Sequence, residues 1–349
     1  MSWRRPATIG VLIAVAAVGA AAVVDAVRPD SGEASKARAD TTTDPEPDPV
    51  RAALKAEEVG GILYYSHPED DCRVHAVSLP DLEQVAPPKL RACRFELPSE
   101  PGTGALEADA AWQPGGGYAA SCADGWISVS TQAGYGVGGI EGCAPAWKPD
   151  GTLTVTRAGE VWGTPCPGPD AYGRPACWRK LLSTVDLRRA ARTLQIVPPD
   201  PRYLRSATAF EAAWLTDSRA AVLVRVQLKG RLRGIGPITA LALFEGRRLV
   251  SAVPYSGAGL LRLSPRRTFL AVVESGGRVA VVDADGRTRL DSITIPAPNA
   301  AAVAWSPDER WTAIASRWSV YLLPTADIVA GRTPRSIRLP LAARDLAWR

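Results

Sequence analysis

Histidine is nearly absent: His67 and His75 are the only two in a chain of 349 residues. None of the six cysteines belongs to a CxxC pair. A zinc site draws on clustered His and Cys ligands, so none is expected. The GxSxG turn that presents a hydrolase serine is missing as well. Asp283-Ala284-Asp285-Gly286 lacks the spaced carboxylates of a full calcium loop and reads as a hairpin turn. The acidic cluster Glu69, Asp70 and Asp71 reads as a solvated loop. Lysine is scarce where arginine is abundant, and no nucleic-acid recognition motif accompanies the basic residues. Beyond one apolar run near the amino end, no stretch carries apolar residues at helical spacing. The chain is therefore not expected to be an enzyme, and neither a cofactor nor a metal is implied.

What the chain does hold begins with Arg4 and Arg5, followed by an uncharged apolar run of 17 residues, 8–24. Basic residues keep the amino end cytoplasmic, and a run of this length lies near the lower limit for a bilayer span. It reads as a signal anchor or a cleavable signal peptide; Asp25 interrupts the small-residue cleavage pattern and favours the anchor. Residues 1–28 are thus expected to form one transmembrane helix, with a single-pass topology that leaves the rest of the chain outside the cytoplasm. Residues 29–58, with TTTDPEPDP, read as a disordered spacer because Pro and acidic residues there bury little surface. The cysteines suit that compartment, since disulfides persist outside the cytoplasm. They fall in sequence as Cys72 and Cys93, Cys122 and Cys143, Cys166 and Cys177. Neighbour pairing is the simplest of roughly 15 connectivities that six cysteines allow.

The stretch VAWSPDERWTAIAS, residues 303–316, sets the pattern for the remainder. An apolar strand ends at Trp305, Ser306-Pro307-Asp308 turns the chain, and a second apolar strand leaves at Trp311. The core of the unit returns as AWQPGGGYAAS (111–121), AWKPDGTLTVT (146–156), AWLTDSRAAVLV (213–224) and RLSPRRTFLAVV (262–273), and LAWR closes the chain. These units resemble the WD40-like repeat of TolB-type β-propellers. That resemblance covers roughly residues 59–349 and implies an all-β, six-bladed propeller. The landmarks Trp112, Trp147, Trp214, Leu263, Trp305 and Trp348 stand 35, 67, 49, 42 and 43 residues apart. A blade takes about 40 to 45 residues. The gap of 67 is read as an insertion at residues 158–179, although a degenerate seventh blade is the alternative. Around that insertion, TLTVT, KLLSTVDL from Lys180 and TLQIV from Thr193 are the expected second, third and fourth strands. In the first blade GILYY, RVHAVSL and LRACRFEL would follow an inner strand supplied by residues 346–348, so that the carboxyl-terminal strand closes the ring.

In an up-and-down sheet of four strands, the Pro-Asp turns share one end with the turn after strand three. The loops after strand two and the connections between sheets share the other end. Long loops held on a rigid scaffold are where binding usually resides. Lys229, Arg231 and Arg233 lie in one such loop, and Arg205, Arg317 and Arg344 in others, giving a basic candidate binding face. Residues 51–349 carry 36 basic against 29 acidic side chains, a formal +7. A positive face steers acidic partners, such as an envelope protein or an anionic envelope polymer, and nucleic acid is not expected. TolB-type propellers act as envelope interaction modules, so the resemblance implies a protein partner, although the extra domain of TolB is not expected here. The expected function is noncatalytic binding in the cell envelope. The alternative is a propeller hydrolase, lyase or lactonase acting on an extracytoplasmic sugar or lactone.

Overall fold

The computed structural model describes residues 48–349 apart from 68, 87–90, 96–109, 132, 134, 165–171, 195–200, 230–237, 256–257, 275–278, 284–291, 294–299, 317 and 333. The first sheet joins the two ends of this region, in the order β24-β1-β2-β3. It contains β1 (Gly61–Ser66), β2 (Val74–Leu79), β3 (Glu83–Val85) and β24 (Asp345–Trp348). The second comprises β4 (Ala110–Trp112), β5 (Tyr118–Ala123), β6 (Trp126–Thr131) and β7 (Gly136–Glu141). The third comprises β8 (Cys143–Trp147), β9 (Leu153–Arg157), β10 (Glu160–Thr164) and β11 (Arg179–Leu182). The fourth, the longest, is β12 (Leu204–Trp214), β13 (Arg219–Leu228), β14 (Ile238–Glu245) and β15 (Arg248–Tyr255). The fifth is β16 (Ala258–Leu263), β17 (Phe269–Glu274), β18 (Val279–Asp283) and β19 (Ser292–Ile293). The sixth is β20 (Ala302–Trp305), β21 (Trp311–Ala315), β22 (Val320–Pro324) and β23 (Ile337–Leu339).

This arrangement corrects the closed six-bladed propeller expected from the sequence. The domain consists of six open, four-stranded antiparallel sheets, none of which closes into a barrel or propeller. Every hydrogen-bond ladder ends within its own sheet. The buried apolar clusters join the second sheet to the third, and so on through the sixth, which packs on the first. Among the described residues none of these clusters spans the first and second sheets. The repeat encodes an inner strand and its turn, which are local matters; ring closure depends on packing between sheets that the motif does not encode. In the middle of the stack strands are buried on both faces, as in β21, where all five residues are buried. That is why they read as continuous apolar runs.

The expected transmembrane helix over residues 1–28 lies outside the described residues. Among those described, no helix is long and apolar enough to cross a membrane. The helices present, α1 (Pro49–Ala56), α2 (Thr184–Thr193) and α3 (Thr325–Val329), have 8, 10 and 5 residues. At 1.5 Å per residue, the longest reaches about half of a hydrocarbon core roughly 30 Å thick. α1 lies within the stretch read as spacer and is packed: Asp48 caps it, and Leu54 is fully buried with Val59 against the sixth and first sheets.

Two further departures concern strands. In the third sheet the third strand is β10, within the stretch read as an insertion; the strand expected from Lys180 is present only as its first residues, in the fourth strand β11. Most of the strand expected from Thr193, residues 195–197, lies outside the described residues, and residues 184–193 form α2. Ser183 and Asp186 form a reciprocal capping box at its start, and Leu187, Ala190, Ala191 and Leu194 bury one helical face against the fourth sheet. In the first sheet the outer strand is β3; Arg91 makes only an isolated bridge to Arg73.

Candidate functional site

The Pro-Asp turns hold one end of the sheets together. In the sixth sheet the Ser306 hydroxyl donates to the Asp308 carboxylate at 2.6 Å, and the Arg310 N–H donates to the same oxygen at 3.0 Å. The Glu309 N–H closes the turn on the Ser306 carbonyl, and Glu309 itself is left-handed, with φ 63°. The same position is Gly151 (φ 83°) in the third sheet and Arg267 (φ 58°) in the fifth. Glycine fits that conformation without strain. Where a side chain occupies it, the side chain reaches another turn: Glu309 accepts the Arg266 N–H at 2.7 Å, and Arg267 donates to the carbonyls of Trp147 and Trp214. Asp217 accepts the Asp150 N–H at 2.8 Å, and Gln113 donates to the Gly151 carbonyl. Arg310 continues the series to Glu58 at 3.5 Å. This end of the domain is occupied by structural bonds that join the turns of different sheets.

The opposite end is formed by loops after second strands and by entries into inner strands. In the first sheet the loop between β1 and β2 gathers both histidines. Tyr65 and His75 are register partners and their rings stack at 5.3 Å. The His75 Nε2 lies 2.7 Å from Asp70 Oδ2, and the His67 ring meets the His75 ring edge-on at 6.1 Å. The Glu69 N–H donates to His67 Nδ1 at 3.2 Å, so that nitrogen is an acceptor. Burial pushes the Asp70 carboxyl up, but the hydrogen bond and charge of His75, with the Arg73 N–H, outweigh it and hold Asp70 below its ordinary value. The Cys72–Cys93 disulfide, together with Arg91 on Asp71 at 2.9 Å, fastens this loop. The acidic cluster, expected as a solvated loop, here sets Asp70 against His75. The clue to their union was pairing: once β1 and β2 form a hairpin, His67 and His75 flank its loop.

Lys229 and Arg205 stand at the same end of the fourth sheet. Leu204 pairs with Leu228 in register, and the Lys229 N–H donates to the Tyr203 carbonyl at 2.7 Å. Both basic side chains are exposed, as is Tyr203. Arg344 enters β24 in the first sheet, exposed, with its N–H on the Ser66 carbonyl. The structure thus brings Arg205 and Lys229 together and places Arg344 in another sheet; Arg231, Arg233 and Arg317 lie outside the described residues. What the sequence reading missed here is aromatic. Trp126, after the second strand of the second sheet, is 54% exposed, and Trp318, after that of the sixth, is 60% exposed. Tryptophan is on average a highly buried residue, and nothing in the sequence sets these two apart.

Both described disulfides also stand near this end. Cys122–Cys143 ties β5 of the second sheet to β8 of the third, and Cys177 is disulfide-bonded while Cys166 lies outside the described residues. Among the described residues no group of three His, Cys, Asp or Glu side chains is placed to hold a metal. The arrangement suits recognition by charge and aromatic contact.

No family model matches the chain, and no curated protein matches it. Solved structures do. AztD from Citrobacter koseri is 10% identical with a TM-score of 0.48, over 83% of this chain and 98% of that one. The Dos1 propeller is 13% identical with a TM-score of 0.44, over 81% and 72%. Hydrazine synthase from Kuenenia stuttgartiensis is 13% identical with a TM-score of 0.43, over 78% and 82%. These are distant likenesses among β-sheet folds and carry no activity to this chain.

Proposed function

We propose that this β-sheet domain is a noncatalytic binding module working outside the cytoplasm, and that it takes a negatively charged partner at its loop end. The observation that carries the proposal is the contrast between the two ends. The turn end is consumed by bonds between the turns of different sheets. The loop end leaves Trp126, Tyr203 and Trp318 exposed beside sheets that also expose Arg205, Lys229 and Arg344. Aromatic and basic side chains are what interfaces favour, the first for contact area and the second for steering. The disulfides Cys72–Cys93 and Cys122–Cys143 support the compartment, because such bonds persist where the surroundings are oxidising.

The test is crosslinking in intact cells, with the native chain against one carrying Trp126→Ser, Lys229→Ser and Arg344→Ser. These side chains are exposed, so the variant keeps its fold. A partner captured by the native chain and lost from the variant supports the reading. Equal capture by both removes the loop end from consideration.

A further inference from the structure

Helix α2 is the element the repeat does not explain, and its outward face is strongly basic. Leu187, Ala190, Ala191 and Leu194 point inward, leaving Val185, Arg188, Arg189 and Arg192 exposed. Val185, Arg188 and Arg192 follow at i, i+3 and i+7, so they share one stripe. The stripe does not end with the helix. Arg188 Nη2 donates to the Arg205 carbonyl at 3.1 Å, joining α2 to the start of β12. Tyr203, two residues earlier, accepts the Lys229 N–H. Arg188, Arg205, Tyr203 and Lys229 therefore form one connected surface.

Among the described residues, two carboxylates beside α2 are already committed. Asp186 is buried, bonded to Ser183 and to Arg247 at 3.0 Å. Glu160 is buried too, taking Lys180 at 2.7 Å and the Thr184 N–H at 3.0 Å. Neither is available to neutralise Arg188, Arg192, Arg205 or Lys229. The surface also exposes two apolar groups: Val185, at 65%, and Tyr203, at 43%.

We infer that the outer face of α2, continued by Arg205, Tyr203 and Lys229, docks an acidic protein segment in which carboxylates are interspersed with apolar side chains. This rests on the binding-module reading and names its surface and partner class. Guanidinium groups fork onto planar carboxylates in two parallel bonds. Val185 and Arg192 stand about 10 Å apart along the helix, a span that about three residues of extended chain cover. A phosphate polymer would match the charge but leave Val185 and Tyr203 facing groups that gain nothing from covering them. A protein segment buries them against apolar side chains.

The experiment uses the full chain and three fluorescein-labelled probes: a synthetic peptide alternating glutamate with leucine and tyrosine, polyglutamate of equal length, and polyphosphate of equal charge. Anisotropy gives the affinities. The alternating peptide should bind roughly tenfold tighter than either other probe, and Arg188→Glu with Arg192→Glu should weaken it by about tenfold or more. Val185→Ser with Tyr203→Ser should reduce it to the polyglutamate level. Arg188→Ser with Arg192→Ser repeats the test without introducing like charge, and melting temperatures check that each variant is folded. Unchanged affinity in both arginine variants overturns the role of α2 and leaves the binding-module reading standing. Polyphosphate binding as tightly as the alternating peptide overturns the partner class. If the native chain binds none of the three probes, the acidic-segment proposal and the charge-directed module reading fall together.

Discussion

Arg262 of β16 and Asp345 of β24 meet across two different sheets, with Nη2 3.3 Å from Oδ2 and side chains 15% and 2% exposed. Asp345 also accepts the N–H groups of Phe95 at 2.8 Å and Leu346 at 3.0 Å. Through this carboxylate the fifth sheet, the chain before the second sheet and the carboxyl-terminal strand are joined. Burial lifts the Asp345 carboxyl above its ordinary range, opposed by Arg262 and by the two backbone N–H groups.

Breaking this pair should be expensive. Arg262→Met is expected to cost about 3 to 5 kcal/mol, because it leaves a buried carboxylate without its counter-charge. The sign of the pH effect follows from the raised folded value. Protonated Asp345 is favoured in the folded state, so stability falls as pH rises toward that value. Removing Arg262 raises it further and carries the fall on to higher pH. Urea denaturation of the native chain and variant across the weakly acidic to neutral range checks both. Equal slopes would dismiss the pair as a titrating unit.

The landmark tryptophans do not all contribute alike. Trp214 Nε1 donates to Thr154 Oγ1 at 2.8 Å, linking the fourth sheet to the third. Trp305 Nε1 is buried with no partner, although its ring stacks on Phe269 at 5.7 Å. Trp214→Phe therefore loses a hydrogen bond and orphans part of Thr154, whereas Trp305→Phe removes an unsatisfied donor. The first should cost about 1 kcal/mol more than the second. Calorimetric melting of the two variants decides it, and a larger loss at Trp305 would refute the argument.

The legible part of the fold was local. Trp-Pro-Asp repeats located the turns and inner strands because proline and a left-handed fifth residue leave a clear signature, as at Trp147 to Gly151. Arrangement of the sheets was not legible, since it depends on contacts such as Arg267 with Trp147 and Trp214. Helix α2 was readable and missed. Ser183 and Asp186 three residues apart are a capping signal, followed by apolar residues at 187, 190, 191 and 194. The β-branched Thr184 and Val185 suggested a strand instead. At the loop end, basic residues were found by charge, while Trp126 and Trp318 were concealed by the tendency of tryptophan to pack.

Cys122 and Cys143 staple neighbouring sheets and are separated by 21 residues. Replacing both with Ser should cost about 3 kcal/mol, the loss expected for a loop of this size. The Cys72–Cys93 bond spans the same separation but stays beside the first sheet. Removing it should affect the His67 to Arg73 loop first. Hydrogen exchange separates the two outcomes: the Cys122 variant should loosen amides in β5 and β8, the Cys72 variant those of the histidine loop. Identical exchange patterns would refute this division.

Asp186 couples the stability of α2 to pH. Burial pushes its carboxyl up, but the Ser183 N–H and hydroxyl, with the Arg247 guanidinium, outweigh burial and leave it below its ordinary value. A carboxylate whose folded value is depressed stabilises the fold above its unfolded value of about 3.9, and that contribution is lost as pH falls through the folded one. Asp186→Asn keeps the size of the side chain and removes the charge. It should cost about 1 kcal/mol at neutral pH, the scale of a helix cap. The difference from the native chain should shrink below about pH 4, where the native carboxylate is itself becoming protonated. Because Arg188 and Arg192 ride on this helix, the variant should also weaken the acidic peptide at neutral pH without altering either arginine. Chemical denaturation at neutral and acid pH, with anisotropy on the same samples, measures both effects. A stability gap that stays constant with pH would show that Asp186 acts through packing and not through its charge.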